Sequence, residues 1–273
     1  MAKAPKPEAG SFDISTGTAQ LTPDGVGGWL LTVNGAQSSH LDPFDPTTLE
    51  FEYMRQMAAA IADAHPDPQT PLRVLHLGAA ACALPAALAH RYPKSRHVAV
   101  EIDAELARLA REWFDLPRAP RLRIRVGDAR EVVESLTAHT RDLVIRDAFA
   151  EAITPAHLMT VEFTRAVARV LAPGGLYLAN CGDRRDLKSV RREIATIGEV
   201  FGNVELISDP SMFKGRRSGN IVVVAGEGPI PDSAALERIL RSDPEPSRLM
   251  TGAAVGDFTR RAEVLRDAEV QSG

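Results

Sequence analysis

The stretch Leu72-Arg-Val-Leu-His-Leu-Gly-Ala-Ala-Ala-Cys-Ala-Leu-Pro85 decides the fold. An apolar strand runs to Gly78, and a helix-forming run begins within a few residues. In doubly wound α/β folds that strand–turn–helix unit binds a nucleotide-like ligand beyond the carboxyl ends of the strands. After Gly78 the turn holds only alanine and cysteine. The dinucleotide fingerprint needs further glycines so that backbone can approach a pyrophosphate, and Ala80 and Cys82 stand where they would be. The turn therefore suits the phosphate-free edge of a nucleoside ligand, met by carbonyl and amide groups.

Outward from this unit, strand and helix alternate. The pattern predicts strands at 72–77, 97–101, 122–126, 142–147 and 175–180, and helices near 84–92, 104–114, 129–138, 157–171 and 186–200. Such alternation gives parallel β-α units with right-handed crossovers. The last two strands, 203–207 and 220–225, are separated by a loop holding Lys214-Gly-Arg-Arg-Ser-Gly219 and no helical pattern. They are expected to form an antiparallel hairpin at the sheet edge. A mostly parallel, seven-stranded sheet with one reversed strand is the topology of Rossmann-like, class I methyltransferase folds, assigned to residues 71–228.

In front lies a small β domain at 11–45. Runs at 18–22 and 29–33 flank Pro23-Asp-Gly-Val-Gly-Gly28, and Asn34-Gly35 is a hairpin signal. A connecting helix and linker fill 46–70. Thr47 or Thr48 is the expected cap, and Leu49, Tyr53, Met57, Ala60 and Ile61 the apolar face. Residues 1–10 read as a disordered leader and 229–273 as a peripheral helical segment.

Composition narrows the class. The chain has 273 residues, 44% of them apolar, and a net charge of -4. A sizeable core is available, and no basic stripe marks a nucleic-acid binder. The basic clusters Arg184-Arg185, Arg191-Arg192 and Lys214-Gly-Arg-Arg217 read as solvated surface. Two distant cysteines, Cys82 and Cys181, make no disulfide framework. The first ten residues hold no secretory apolar region, and no run has the length of a membrane span. A soluble cytoplasmic protein, with no membrane or nucleic-acid partner, is the expectation.

Three acids sit at successive strand ends. Glu101 closes the second strand of the domain, a little over twenty residues past Gly78, where an acid accepts hydrogen bonds from ribose hydroxyls. The alternative is a helix N-terminal acid, a role that Asp103 already fills. Asp128 follows the third strand, placed either to accept an adenine amine or to cap the next helix. Asp147 ends the fourth strand beside the first, placed to accept a proton or hold a cation in the crevice. An edge ion pair with Arg146 is the plainer alternative, weakened because alternation puts the two on opposite faces. The seven histidines show no metal spacing, and His76, inside a strand, reads as a hydrogen-bonded core residue. No metal is expected.

With these residues in view, the chain resembles the spermidine synthase family of polyamine aminopropyltransferases from about residue 30 to 226. The likeness rests on Val33-Asn-Gly-Ala-Gln-Ser-Ser39, Glu50-Phe-Glu-Tyr-Met54, Glu101-Ile-Asp103, Gly127-Asp128-Ala129, Leu171-Ala-Pro-Gly-Gly175 and Arg217-Ser-Gly-Asn-Ile-Val222. The resemblance implies an S-adenosylmethionine or decarboxylated S-adenosylmethionine donor bound under Gly78, with Gln37 and Glu101 on its ribose and Asp128 on its adenine. It implies Tyr53 in the channel of a small-molecule amine acceptor and Asp147 as the base that deprotonates the amine. It also implies a homo-oligomer, a dimer, built through N-terminal β-structure.

Three departures stand beside the likeness. The family's aspartate for the transferred aminopropyl amine is Ala81, the second aspartate after the fourth strand is Ala150, and the glutamine after the motif tyrosine is Met54. Each lost carboxylate removes a charge-assisted bond of roughly 1.5–3 kcal/mol. Glu151, next to Ala150, is a candidate substitute in the channel. Aminopropyl or related transfer to an amine is the leading expectation. A methyltransferase, or a non-catalytic nucleoside-binding or regulatory homologue, are the alternatives.

Overall fold

The computed structural model describes residues 7–150, 153–228, 230 and 234–270. Residues 1–6 of the expected leader lie outside them, while Gly10 already opens a strand. The N-terminal part is a four-stranded antiparallel meander, β1 (Gly10–Ile14), β2 (Gly17–Pro23), β3 (Trp29–Val33) and β4 (Ala36–Leu41), in sequence order. Asn34 and Gly35 both adopt positive φ, 49° and 84°, between paired Val33 and Ala36. That is the two-residue turn whose twist matches the flanking strands. Ala19, Leu21 and Leu31 are fully buried on the inner face.

Helix α1 (Glu52–Ala64) follows, with Phe51 at its N-cap and no side-chain cap. The expected cap at Thr47 or Thr48 does not form, because Asp45 captures both threonines first. Its carboxylate accepts from Thr47 N and Oγ1, and its carbonyl from Thr48 N. The helix starts only after this turn is spent.

The larger unit contains β5 (Arg73–Leu77), α2 (Ala83–Arg91), β6 (Arg96–Glu101), α3 (Ala104–Trp113), β7 (Leu122–Val126), α4 (Ala129–Ser135) and β8 (Arg141–Arg146). A single tight turn, Ala156–Leu158, precedes α5 (Val161–Val170). Then come β9 (Leu171–Asp183), α6 (Lys188–Val200), β10 (Asn203–Ser208), α7 (Pro210–Phe213) and β11 (Gly219–Gly226). The chain continues through α8 (Ala234–Ser242), β12 (Arg248–Met250), α9 (Ala253–Phe258) and α10 (Asp267–Val270).

The sheet order is β12-β10-β11-β9-β8-β5-β6-β7. Strands β5 to β9 run parallel, and β10, β11 and their neighbours pair antiparallel. The sheet thus has eight strands rather than seven. Residues 248–250 pair with β10, so the C-terminal segment is not wholly helical and the β10–β11 pair is not the edge. A one-turn helix, α7, also interrupts the expected hairpin loop.

Alternation along each strand divides two cores. Val74, Leu143, Leu178 and Val222 face one side, where α1, α2 and α3 pack. Leu75, Leu77, Val144, Tyr177 and Val223 face the other, against α4, α5 and α6. Burying each such side chain contributes about 1.5–3 kcal/mol, and cover on both faces explains why the strands are almost continuously apolar. Strand order reverses between β5 and β8, which places the carboxyl end of β5 at the switch point of the sheet.

Candidate active site

Gly78 ends β5 with φ at 91°, and a Cβ added there would land on the backbone carbonyl of Asp147. Only glycine lets β5 and β8 close at their ends, where Asp147 N donates to the Leu77 carbonyl at 2.8 Å. Beyond Gly78 the turn adopts two further left-handed residues, Ala80 (φ 44°) and Cys82 (φ 63°). Glycine would take these positions without strain; a residue with a Cβ pays about 1–2 kcal/mol in that region. The tension is offset by anchoring. Ala79 N and Ala80 N donate to Glu101 Oε2 at 3.2 and 2.7 Å, and Ala81 N donates to Ser39 Oγ on β4 at 3.2 Å.

Glu101 is buried and accepts a third bond, on Oε1, from Asp103 N at 3.1 Å. Burial pushes its pKa up against the pull of these three N–H groups. Asp103 caps α3 through Leu106 N and also takes Thr16 N and Oγ1 from the N-terminal sheet. The two acids therefore have separate work: Asp103 holds helix and sheet, and Glu101 faces the turn.

Asp147 stands on the other side of Gly78. Its Oδ2 accepts from the Tyr53 hydroxyl at 3.0 Å and its Oδ1 from Asn180 Nδ2 at 2.9 Å. Burial raises its pKa, and the Asn180 and Tyr53 bonds oppose the rise. Burial, then the neighbouring Asp147 charge, pushes the Tyr53 phenol well above its ordinary value, so Tyr53 stays protonated and donates. Asp147 lines a cavity of about 30 Å³ with Ser38, Ser39, Met54, His76 and the turn at 78–80. That is room for water rather than for a nucleoside.

Asp128 is one strand further out. Its Oδ1 caps α4 through Arg130 N and Glu131 N, and its Oδ2 meets His157 Nε2 at 2.9 Å. Burial opposes its ionisation, but the Glu131 N–H, His157 and the Arg130 N–H outweigh it and lower the pKa. Gln37 is exposed on β4, two residues before Ser39, and its side chain makes no hydrogen bond among the described residues. Glu151 lies outside the described residues. The structure thus brings Tyr53 and Asp147 together beside Gly78, and Glu101 against the same turn. It gives Asp128 a cap and a histidine, and leaves Gln37 unengaged.

Arg146 does not pair with Asp147. It points to the opposite face, fully buried, where it meets Glu193, the Tyr177 hydroxyl (3.1 Å) and the Asn180 carbonyl (3.2 Å). His76 is a core residue as read, sharing a 3.1 Å hydrogen bond with His97.

Asn180, Ser39, His157 and Ile102 escaped the sequence reading. Ile102 is 62% exposed directly after Glu101, and Val126 is 50% exposed at the end of β7. Aliphatic residues directly after the acid of β6 and at the end of β7, where polar residues would be ordinary, were the available sequence signal.

Fold and site together define a Rossmann-like methyltransferase-type domain with a small antiparallel sheet in front. A model of the methyltransferase domain family matches residues 74–175. The crystal structure of a probable spermidine synthase from Corynebacterium glutamicum superposes with a TM-score of 0.91 at 45% identity, covering 96% of this chain and 97% of that one. The polyamine aminopropyltransferase of Vibrio vulnificus is 31% identical over 199 residues, 72% of this chain and 62% of that protein. The mouse eEF1A lysine and N-terminal methyltransferase is 28% identical over 133 residues, 45% of this chain and 19% of that much longer protein. The chain thus spans about three fifths or less of these two curated relatives. It belongs to the spermidine synthase family.

Proposed function

We propose that this protein is a transferase that takes a group from an S-adenosylmethionine-type donor and places it on an amine. The observation that carries the reading is Asp147, held by Tyr53 and Asn180 at the switch point of the sheet. Tyr53 and Asn180 each occupy one oxygen, and Asp147 also lines the cavity. A carboxylate with a raised pKa is a competent proton acceptor near neutrality.

In the proposed step an ammonium held on Asp147 loses a proton to it and becomes a neutral amine. The nitrogen lone pair then attacks the carbon next to the donor sulfonium. The carbon–sulfur bond breaks, its electron pair stays on sulfur, and neutral methylthioadenosine leaves when an aminopropyl group moves. Glu101 receives the ribose hydroxyls in exchange for the Ala79 and Ala80 N–H groups, and Ile102 and Val126 offer apolar surface to the adenine. The cavity is too small for a nucleoside, so nucleoside binding there requires the 79–82 turn to give way.

Methyl transfer is a second reading, favoured by Ala81. It is fully buried with no carboxylate to select a decarboxylated donor's free amine. Calorimetry with S-adenosylmethionine, its decarboxylated form and methylthioadenosine tests both. Tighter binding of the decarboxylated donor supports aminopropyl transfer, tighter binding of the carboxylated donor supports methyl transfer, and no binding of any refutes the proposal.

A further inference from the structure

We propose that the amine accepted at Asp147 carries an anionic group, a carboxylate or a phosphate, held by the arginine-rich loops that follow β9 and precede β11. The inference rests on Asp147 as the amine-binding carboxylate and narrows the amine it serves.

The carboxylates nearest the turn and the ends of β9 and β10 already accept hydrogen bonds. Asp147 is held by Tyr53 and Asn180, Glu101 by three backbone N–H groups, and Asp128 by two N–H groups and His157. Asp183 takes Val190 N and Arg184 N, and Asp209 takes Ser211 N and Met212 N. Positions 81 and 150, in the turn after β5 and the loop after β8, are alanines. The further carboxylate beside Tyr53, Glu52, faces the Arg217 guanidinium at 3.7 Å, so a second ammonium there would meet a cation as well as an acid.

The cations are in the opposite condition. Arg184, Arg185, Lys188, Lys214, Arg216 and Arg217 are all exposed. Of these only Arg217 has a carboxylate nearby among the described residues, Glu52 at 3.7 Å and Asp209 at 3.8 Å, both long for an ion pair. The two loops form one surface. Gly219 pairs with Asp183, and Gly215 packs on the Arg185 carbonyl so closely that a Cβ would clash.

This surface adjoins the site. Asn180, bonded to Asp147, is three residues before Asp183, or roughly 10 Å along an extended strand. Glu52, which Arg217 approaches, immediately precedes Tyr53. A Cβ on Gly182 would touch the Phe149 ring, so the segment after Asp147 lies against the same strand end. A short amine with its nitrogen on Asp147 would thus direct its far end toward guanidinium groups, whose planar forks suit carboxylate and phosphate.

The test compares two amines of similar length and opposite far-end charge. The full chain is saturated with methylthioadenosine and titrated calorimetrically with γ-aminobutyrate and with putrescine; phosphoethanolamine forms a third arm to separate phosphate from carboxylate. The expected result is at least about tenfold tighter binding of an anionic amine than of putrescine, weakening as salt is raised. Arg216→Glu combined with Arg217→Glu should invert the preference, with retained methylthioadenosine affinity as the folding check. Should that variant fail to fold, Arg184→Gln with Arg185→Gln, on the other loop, should cut the preference severalfold. Tighter binding of putrescine, or no binding of any amine to the nucleoside-loaded protein, overturns the inference while leaving the donor reading intact. Failure of methylthioadenosine itself to bind overturns the donor reading, and this inference with it.

Discussion

The Tyr53 hydroxyl donates to Asp147 Oδ2 at 3.0 Å, joining α1 to the end of β8 across 94 positions of the chain. The bond ties the connecting helix to the switch point of the sheet. Asn180 Nδ2 completes the clamp from β9 at 2.9 Å. Asp147 is thereby fixed in orientation without being neutralised by a cation, since Arg146 is turned to the far face.

Asp147→Asn should therefore abolish transfer, lowering kcat by at least about a hundredfold, while leaving methylthioadenosine affinity nearly unchanged. In the native enzyme the rate should fall as pH drops through the raised pKa of Asp147, at an inflection above the ordinary carboxylate range. The same shift fixes the sign for stability. A carboxyl whose folded-state pKa is raised favours the fold most below its unfolded pKa, and that contribution is lost as pH rises through the folded value. Asp147→Asn removes this titration but also gives up one of the two accepted bonds, so its stability should change less than the native protein's as pH rises from the acid range to neutrality. A variant that remains active, or that keeps the native pH dependence of stability, counts against the assignment.

Glu101→Ala removes the acceptor of three N–H groups at once. Part of the 79–82 turn then lies buried without partners, at a cost of about 1–3 kcal/mol, and its two left-handed residues lose their anchor. Urea denaturation should show the loss. Methylthioadenosine affinity should fall at least about tenfold, and unchanged affinity would remove Glu101 from the ribose.

The buried Arg146–Glu193 pair gives a stability prediction separate from catalysis. Arg146→Met leaves Glu193 charged and buried, and should cost about 3–5 kcal/mol in urea unfolding. Arg146→Met with Glu193→Leu should recover most of that, because no uncompensated charge remains. Equal losses in the single and double variants would show that the side chains act through packing alone.

The central strands β5, β6, β8 and β11 were legible as largely apolar runs bounded by Gly, Pro or an acid, and the β3–β4 hairpin because Asn34-Gly35 permits one kind of turn. The alternation rule also placed Arg146 and Asp147 on opposite faces correctly. What escaped was set by tertiary partners. Three residues at 248–250 carry no periodicity, and only the free edge of β10 makes them a strand. Thr47 and Thr48 have good capping chemistry, but Asp45 competes for them locally. Asn180 is a lone polar residue in an apolar stretch of β9 and Ser39 one of several in β4, and their roles exist only once β9 and β4 approach Asp147 and the 79–82 turn. Asp128 shows the converse. Its cap was legible, while its pairing with His157 depends on the path of the chain 29 positions later.

Ala81→Asp tests one of the three departures from the resemblance, the alanine in the turn after β5. Ala81 is fully buried, and its N–H is bonded to Ser39 Oγ. Its neighbours Ala80 and Ala83 line the 30 Å³ cavity that Asp147 also lines, so a longer side chain at position 81 is buried next to that cavity. Without ligand the new carboxylate should cost about 2–4 kcal/mol, lowering the melting temperature. A ligand that brings an ammonium into the cavity should reverse this, because it supplies the missing partner. Decarboxylated S-adenosylmethionine should therefore raise the melting temperature of Ala81→Asp more than that of the native protein, whereas methylthioadenosine, which has no ammonium, should raise both equally. If the decarboxylated donor stabilises the two proteins alike, position 81 does not face the transferred group.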